Sequence, residues 1–509
     1  MKNYDLVVVG SGVGLTVLGE GLNAGMSCAL VESGKMGGTC LTRGCIPSKV
    51  LTYPADLIRA AEDGKRVGVH LSLTRIDWET ISKRMWSQID ESMRIEESLN
   101  RVDGLDVYRG VGEFVGDYQM RVRLDDSGRY SDVFKGDRFV LASGARSMIP
   151  PIEGIDKVDY ITTESFFGPK FPKKPWESLV IIGGGIVAAE FAHMFSAFGT
   201  RVTIIEMLPR LVASEEPEVS ELLERAFRRR MTVLTNTRAI AVRQEGDLKI
   251  VTAKEQTSNK TIDVSGEALL IAVGRRSNAD ILRVEKTGVK TDAKGWIVVD
   301  EYLQTSRPGI WAIGDATGRY QFRHKANYDA DIVTRNIFGD ASNRVAVDYS
   351  AVPWAIFTYP QIAHVGMTER EAIEKGHEIY VAKKHYSSVA KGFAMGFEEG
   401  DEDDGFFKLI TDRNFKILGA HAIGPEASLL VQSFVYLMNA GFTCGPPSAR
   451  GRPVPLAQRA CPEAGSFMPV YRSMVIHPSL NEVAAWAIGN LRPVNIRVSE
   501  THHHHDHQH

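Results

Sequence analysis

Cysteine is scarce in this chain, five in 509 residues. A sparse, odd-numbered set does not make a structural disulfide framework, and it leaves catalytic or redox use for any cysteines that cluster. An excess of one charge is also missing. Sixty Lys and Arg stand against 63 Asp and Glu, for a net charge of −3. No basic surplus is there to neutralise phosphates, which argues against a nucleic-acid partner. Long hydrophobic runs are absent too. The most apolar stretch, SLVIIGGGIVAAEFAHMFSAFG (178–199), carries a glycine triplet, Glu190 and His193, and reads as strand, turn and helix rather than a membrane span. No presequence is visible, because the strand YDLVVVG (4–10) starts after three residues. The expectation is a cytoplasmic protein without membrane association. Its length predicts three or four compact units.

What the sequence does contain is a repeated turn. The first strand runs into GSGVGLTVLGEGLNAG (10–25), and a second strand, CALVE, ends at Glu32. Gly10 and Gly12 allow a tight turn and let backbone N–H groups approach a pyrophosphate at the helix N-terminus, while Glu32 is placed to accept from a ribose. Leu15 stands where the third glycine of the pattern belongs, with Gly14 beside it, so this helix must sit slightly differently. The pattern returns in LVIIGGGIVAAEFAHMFSAFGTRVTIIE (179–206), now with Gly183, Gly185 and Ala188 in place and Glu206 closing the second strand. A carboxylate there favours the free 2′-hydroxyl of NAD over the 2′-phosphate of NADP, and no cation follows until Arg210. Two dinucleotide units in one chain imply electrons passing between two dinucleotides.

Two of the five cysteines sit in GGTCLTRGCIPSK (37–49). A regular helix would set residues five apart about 7.5 Å along its axis, too far for a disulfide, which needs Cα atoms within about 7 Å. Gly44 and Pro47 supply the irregularity. The sequence predicts Cys40 in a loop or distorted turn and Cys45 at the mouth of a helix starting around 46–48. There the helix dipole favours a thiolate. The two sulfurs are then unlike, one held as an anion and the other freer to attack an outside disulfide.

This segment resembles the active-site stretch of the class I pyridine nucleotide–disulfide oxidoreductases, a family that includes dihydrolipoyl dehydrogenases and glutathione, mycothione and mercuric reductases. GVGEF (110–114), ASG (142–144), GDAT (314–317), VPWAIFTYPQIAHVGMTE (352–369) and ILGAHAIGPEA (417–427) follow in the family's order. The resemblance implies an α/β homodimer with two Rossmann-like domains and a C-terminal α+β dimerisation domain. Its division is a FAD domain (1–150), an NAD domain (151–275), a central domain completing the FAD site (276–347) and an interface domain (348–500). It implies FAD contacts through Thr39, Gly144, Gly314 and Asp315, and a further cofactor contact at Gly274. Cys45 becomes the cysteine against the flavin and Cys40 the one that meets substrate, with Lys49 near flavin N5 and Glu190 as its carboxylate partner. No resident metal is implied.

Disulfide exchange needs a proton acceptor tuned near neutral pH. His477 in VIHPSLNEV (475–483) precedes Glu482, an acid able to orient it. This is similar to the family's His-Pro…Glu dyad, which reaches the other subunit's site. His324 is expected to line the flavin site structurally. His70, His193, His364, His377, His385 and His421 are read as surface or satisfied core residues. Mercuric reductases end in a cysteine pair instead, which disfavours mercury chemistry. Val475 stands where dihydrolipoyl dehydrogenases carry a second histidine. The Pro-, Gly- and Arg-rich 442–467, with Cys444 and Cys461, reads as a loop insertion, and the tail THHHHDHQH (501–509) as a disordered metal-binding or tag-like segment. Ile186, where glutathione reductases place a tyrosine, together with Glu206 favours dihydrolipoamide and NAD. A reductase of another small disulfide, similar to mycothione reductases, is the alternative. A third reading is a docking component of a 2-oxo acid dehydrogenase complex.

Overall fold

The computed structural model describes residues 1–125, 127–440, 468–479, 481–482 and 485. The insertion at 442–467 and the histidine tail, singled out in the sequence, lie outside the described residues. The first sheet is wholly parallel, in the order Ile310–Ala312, Phe139–Leu141, Leu6–Val9, Cys28–Glu32 and Leu105–Arg109. Its inner strands are apolar without alternation, LVVV and CALVE being buried at every position. This is what a sheet covered on both faces demands. The edge strand Ile310–Ala312 comes from far along the chain and delivers Gly314 and Asp315 beside the first turn.

The second sheet repeats the design with Thr232–Leu234, Arg201–Ile205, Ser178–Ile182 and Ala268–Ile271, again all parallel. Both parallel sheets therefore open their glycine turns at the C-terminal ends of their strands, where nucleotides bind in such folds. The C-terminal region is a five-stranded antiparallel sheet in the order Pro353–Ile356, Ile362–Gly366, Ile417–Ile423, Phe406–Asp412 and Ile379–His385. Helix Ala427–Met438 packs on it through Ala427, Val431 and Val435. No helix among the described residues is long and apolar enough to cross a membrane.

Two helices join the parallel sheets. Cys45–Asp63 leads away from the cysteine pair, and Ile186–Ala197 leads away from the second glycine turn. They meet through three polar links, Lys49 to Glu190 at 2.6 Å, Asp56 to His193 at 2.8 Å and Arg59 to Ser196 at 2.8 Å. The partners recur at one-turn and two-turn spacing, so each helix offers a single face to the other.

Candidate active site

At the first turn Gly10 has φ +104°, and a Cβ there would fall 2.2 Å from the Ala142 carbonyl oxygen. Gly183 repeats this at the second turn, with φ +113° and 2.3 Å to the Ala272 carbonyl oxygen. Only glycine fits either place. Gly14 resolves the irregularity at Leu15. A Cβ on it would lie 2.7 Å from a Val8 methyl, so Gly14 takes the helix-to-strand packing role one residue early. Helices Gly14–Asn23 and Ile186–Ala197 carry no side-chain cap and no acid in the first turn. Their leading N–H groups are left for an anion.

Both turns line one cavity of about 1010 Å³, together with Glu32, Thr39, Gly144, Glu206, Gly274, Gly314 and Asp315. Its size and polar points suit extended dinucleotides, and the residues present fit a flavin dinucleotide at the first turn and a nicotinamide dinucleotide at the second. Glu32 ties the first turn by accepting from Ser11 N at 2.8 Å and Ser11 Oγ at 2.7 Å. Glu206 accepts from Leu208 N at 2.6 Å, and burial pushes its carboxyl above the usual range. Arg210 lines a different cavity, whereas Arg238, not singled out in the sequence, lines this one beside Glu206.

The cysteines lie deeper in the same cavity. Cys40 sits in a short turn of helix, Gly38–Thr42, as the second of the two expected placements has it, and the long helix begins at Cys45 itself, ahead of the expected 46–48. Gly44 between them makes the break. Its Cβ would stand 2.9 Å from the Thr39 carbonyl oxygen, so the chain turns back on the preceding helix there. Both thiols are unjoined. Hydrogen bonding from Cys40 holds the Cys45 thiol well below its ordinary value, with His477 and Lys49 adding to it against burial. Cys40 is correspondingly pushed up. The glycine pair ahead of Cys40 also has a purpose: a Cβ on Gly38 would lie 2.5 Å from the Gly12 Cα, so the cysteine segment rests directly on the first nucleotide turn.

His477 Nε2 lies 3.2 Å from Cys40 Sγ, and its Nδ1 lies 2.7 Å from Glu482 Oε1. Gln432 accounts for the placement. Its amide accepts from Ile476 N at 3.0 Å and donates to the Met474 carbonyl at 3.1 Å, pinning the segment to helix Ala427–Met438. His324 stands behind, donating to the Pro353 carbonyl at 2.6 Å and stacked on Phe322, and burial lowers its pKa to about 4.

On the other side Lys49 bonds Glu190 and lies 4.5 Å from the Phe357 ring centre. Glu190 also accepts from Phe357 N at 3.0 Å. Phe357 and Arg275, the latter 3.5 Å from Asp315, complete the site. Phe357 belongs to the stretch VPWAIFTYPQIAHVGMTE (352–369), whose local pattern does not point to this cavity. Of the remaining histidines, His193 bonds Asp56, and His364 and His421 are fully buried in the C-terminal sheet. Cys28 is a core residue whose thiol burial pushes up to about 11.

Paired thiols, an imidazole–carboxylate dyad and two dinucleotide turns on one cavity define a flavin- and pyridine-nucleotide-linked disulfide oxidoreductase. Comparison with known proteins gives the same class. Residues 4–330 match the pyridine nucleotide-disulphide oxidoreductase family and 352–450 its dimerisation domain. The chain belongs to this family. It is 33% identical to the mycothione reductase of Mycobacterium tuberculosis over 502 residues, covering 97% of this chain and all of that one. The dihydrolipoyl dehydrogenase of Chlamydia pneumoniae is 30% identical, with 97% of this chain and 98% of that protein covered. Among solved structures, the Cu(II) complex of the HOCl-induced flavoprotein disulfide reductase RclA from Escherichia coli matches 88% of this chain and 97% of its own. Its TM-score is 0.73 at 25% identity. The fold is thus α/β with a Rossmann-like FAD domain and a C-terminal dimerisation domain, and the family uses FAD with NAD(P)H.

Proposed function

We infer that the protein passes an electron pair between a small dithiol and a pyridine nucleotide through Cys40 and Cys45, with dihydrolipoamide and NAD⁺ as its substrates. The observation that carries this reading is the alignment of Glu482, His477 and Cys40 beside a Cys45 whose thiolate is favoured. One substrate thiolate attacks Cys40 of the oxidised pair. The Cys40–Cys45 bond breaks, a mixed disulfide forms on Cys40, and Cys45 departs as the better leaving group because its pKa is low. His477 Nε2 takes the proton of the second substrate thiol, whose sulfur then displaces Cys40. The substrate leaves as a disulfide and the cysteine pair is left reduced. Bound FAD would supply the two-electron link from this pair to the nicotinamide. Lys49, held by Glu190, offers the positive charge that favours a reduced, anionic flavin.

Glu206 supports NAD, since a second anion beside it would be repelled. The dimerisation-domain match supports a homodimer, and a 2-oxo acid dehydrogenase complex is the partner this chemistry would serve. The same reading places the enzyme in the cytoplasm, where such a thiol pair stays reducible. A second reading, an NADPH-driven reductase of a mycothiol-type disulfide, is favoured by the full-length likeness to a mycothione reductase and by Arg238 on the nucleotide cavity.

Initial rates of NAD⁺ and NADP⁺ reduction by dihydrolipoamide, with the FAD-loaded enzyme, separate the two. A fast NAD-selective rate is expected, with Cys45→Ser lowering it by about 10³-fold or more. A negligible rate alongside NADPH-driven reduction of a mycothiol-type disulfide would replace the first reading with the second. Full lipoamide turnover by Cys45→Ser would overturn both.

A further inference from the structure

The C-terminal sheet carries a row of polar residues in cross-strand register: Trp354 opposite His364, His364 opposite His421, His421 opposite Lys408. Because paired residues share a face, all four side chains point the same way, toward the acidic start of helix Pro217–Arg228. Trp354 Nε1 donates to Glu215 Oε1 at 2.7 Å, and Lys408 pairs with Glu216 at 2.9 Å and Glu218 at 2.7 Å, and with Glu369. The ends of the row are therefore satisfied. The middle is not.

His364 and His421 lie with ring centres 4.2 Å apart and their planes tilted by 59°. Each is fixed through the same nitrogen. His364 Nε2 donates to the Gly366 carbonyl at 2.8 Å and His421 Nε2 to the Met367 carbonyl at 2.9 Å. A nitrogen facing a carbonyl carries the proton, so in each neutral ring Nδ1 holds the lone pair. His364 Nδ1 lies 3.1 Å from Glu215 Oε2, acceptor against acceptor. His421 Nδ1 has no hydrogen-bond partner although its residue is completely buried. A proton on His364 would satisfy Glu215 and still leave His421 Nδ1 empty. A cation between the three groups satisfies all of them.

Glu215, His364 and His421 each offer one ligand atom within 4.8 Å of the other two. Zinc–ligand bonds of 2.0–2.2 Å set tetrahedral ligand atoms about 3.4 Å apart, close to the His364–Glu215 separation already present. Backbone carbonyls holding the far nitrogen of each imidazole are the usual outer support of metal-binding histidines. A cavity of about 800 Å³ lined by His364 and by seven carboxylates against four cations, Arg210, Arg370, Lys375 and Lys408, gives a net acidic approach from solvent. Lys408, the nearest cation, is offset by the carboxylates that hold it.

We propose that Glu215, His364 and His421 bind a divalent cation of the zinc class, with a water from the adjoining cavity as a further ligand, tying the C-terminal sheet to the second nucleotide unit. Two imidazole nitrogens and one carboxylate oxygen suit zinc and cobalt(II) and are a poor set for magnesium or calcium.

The test is cobalt(II) titration of the full-length, FAD-loaded chain, with Cys40 and Cys45 oxidised to their disulfide and the six tail histidines replaced by serine to remove their binding. One equivalent should bind with the visible absorption of a four- or five-coordinate N/O site, and zinc should displace it. His364→Ala and His421→Gln should each weaken that binding by more than about 100-fold, beyond what loss of a supporting hydrogen bond costs, while dithiol turnover is kept. As a folding-independent check, cobalt should raise the unfolding midpoint of the parent but not of His421→Gln. Equal binding by parent and variants, or no equivalent bound by the parent at up to 1000 times the protein concentration (on the order of 10 mM), overturns the proposal.

Discussion

Glu482 never touches sulfur, yet it decides which nitrogen of His477 faces Cys40. With its carboxylate 2.7 Å from Nδ1, the proton stays on that side and Nε2 is free to accept from a thiol. Glu482→Gln keeps the shape but removes the charge. It is expected to cut kcat for dihydrolipoamide on the order of 10²–10³-fold with little change in KM. Steady-state kinetics on the purified variant check this. His324, directly behind, makes an opposite demand. Its pKa of about 4 lies below the unfolded value, so the unfolded chain binds a proton that the native chain refuses. The neutral form therefore adds stability that is fully present above about pH 6.5 and is lost as pH falls toward 4, about 3 kcal/mol in total. Urea midpoints at pH 7 and pH 4.5 should fall further for the parent than for His324→Gln. Of this residue-scale site, the cysteines, Lys49, Glu190 and the His477–Glu482 dyad were readable because motifs carry them. Phe357, Arg238 and Arg275 were not, because each reaches the cavity from an element whose own pattern only reports burial.

Among the elements, the glycine turns decide whether a nucleotide can be held. Gly10 and Gly25 both have positive φ, but only at Gly10 would a Cβ meet a neighbouring backbone, 2.2 Å from the Ala142 oxygen. Gly10→Ala should yield protein without bound flavin, read as the ratio of visible to ultraviolet absorbance. Gly25→Ala should keep its flavin and cost only about 1–2 kcal/mol for the strained backbone. The strand–turn–helix units were legible because fully apolar strands followed by glycine leave few other folds. The cysteine helix opens at Cys45, ahead of the 46–48 that its sequence suggests. Pro47 suits the N-terminal turn, but Gly44 breaks the chain earlier and lets Cys45 open the helix.

For the molecule as a whole, Lys408 is a keystone between the C-terminal sheet and the helix Pro217–Arg228. Its side chain is only 3% exposed and meets three carboxylates. Lys408→Met leaves the buried Glu216 without its cation, while Glu218 and Glu369 are 31% and 39% exposed and can turn to water, and should cost about 3 kcal/mol, measured as a shift in the urea midpoint at constant slope. Such long-range pairings are invisible in the sequence. His364 and His421 read there as ordinary core or surface residues, and only strand register sets them beside each other.

The helix pair that joins the two parallel sheets has a consequence for timing. Lys49, Asp56 and Arg59 grip Glu190, His193 and Ser196 along two full turns, so the nucleotide units cannot swing apart without breaking all three links at once. Entry and exit of the nicotinamide must then rely on side-chain rotation at the cavity rim, where Ile186 and Val187 stand. Rotations of that kind take nanoseconds, whereas hinge motions take microseconds to milliseconds. Nucleotide exchange in this enzyme should run without a slow gate, and small-angle scattering should give one radius of gyration with or without NADH.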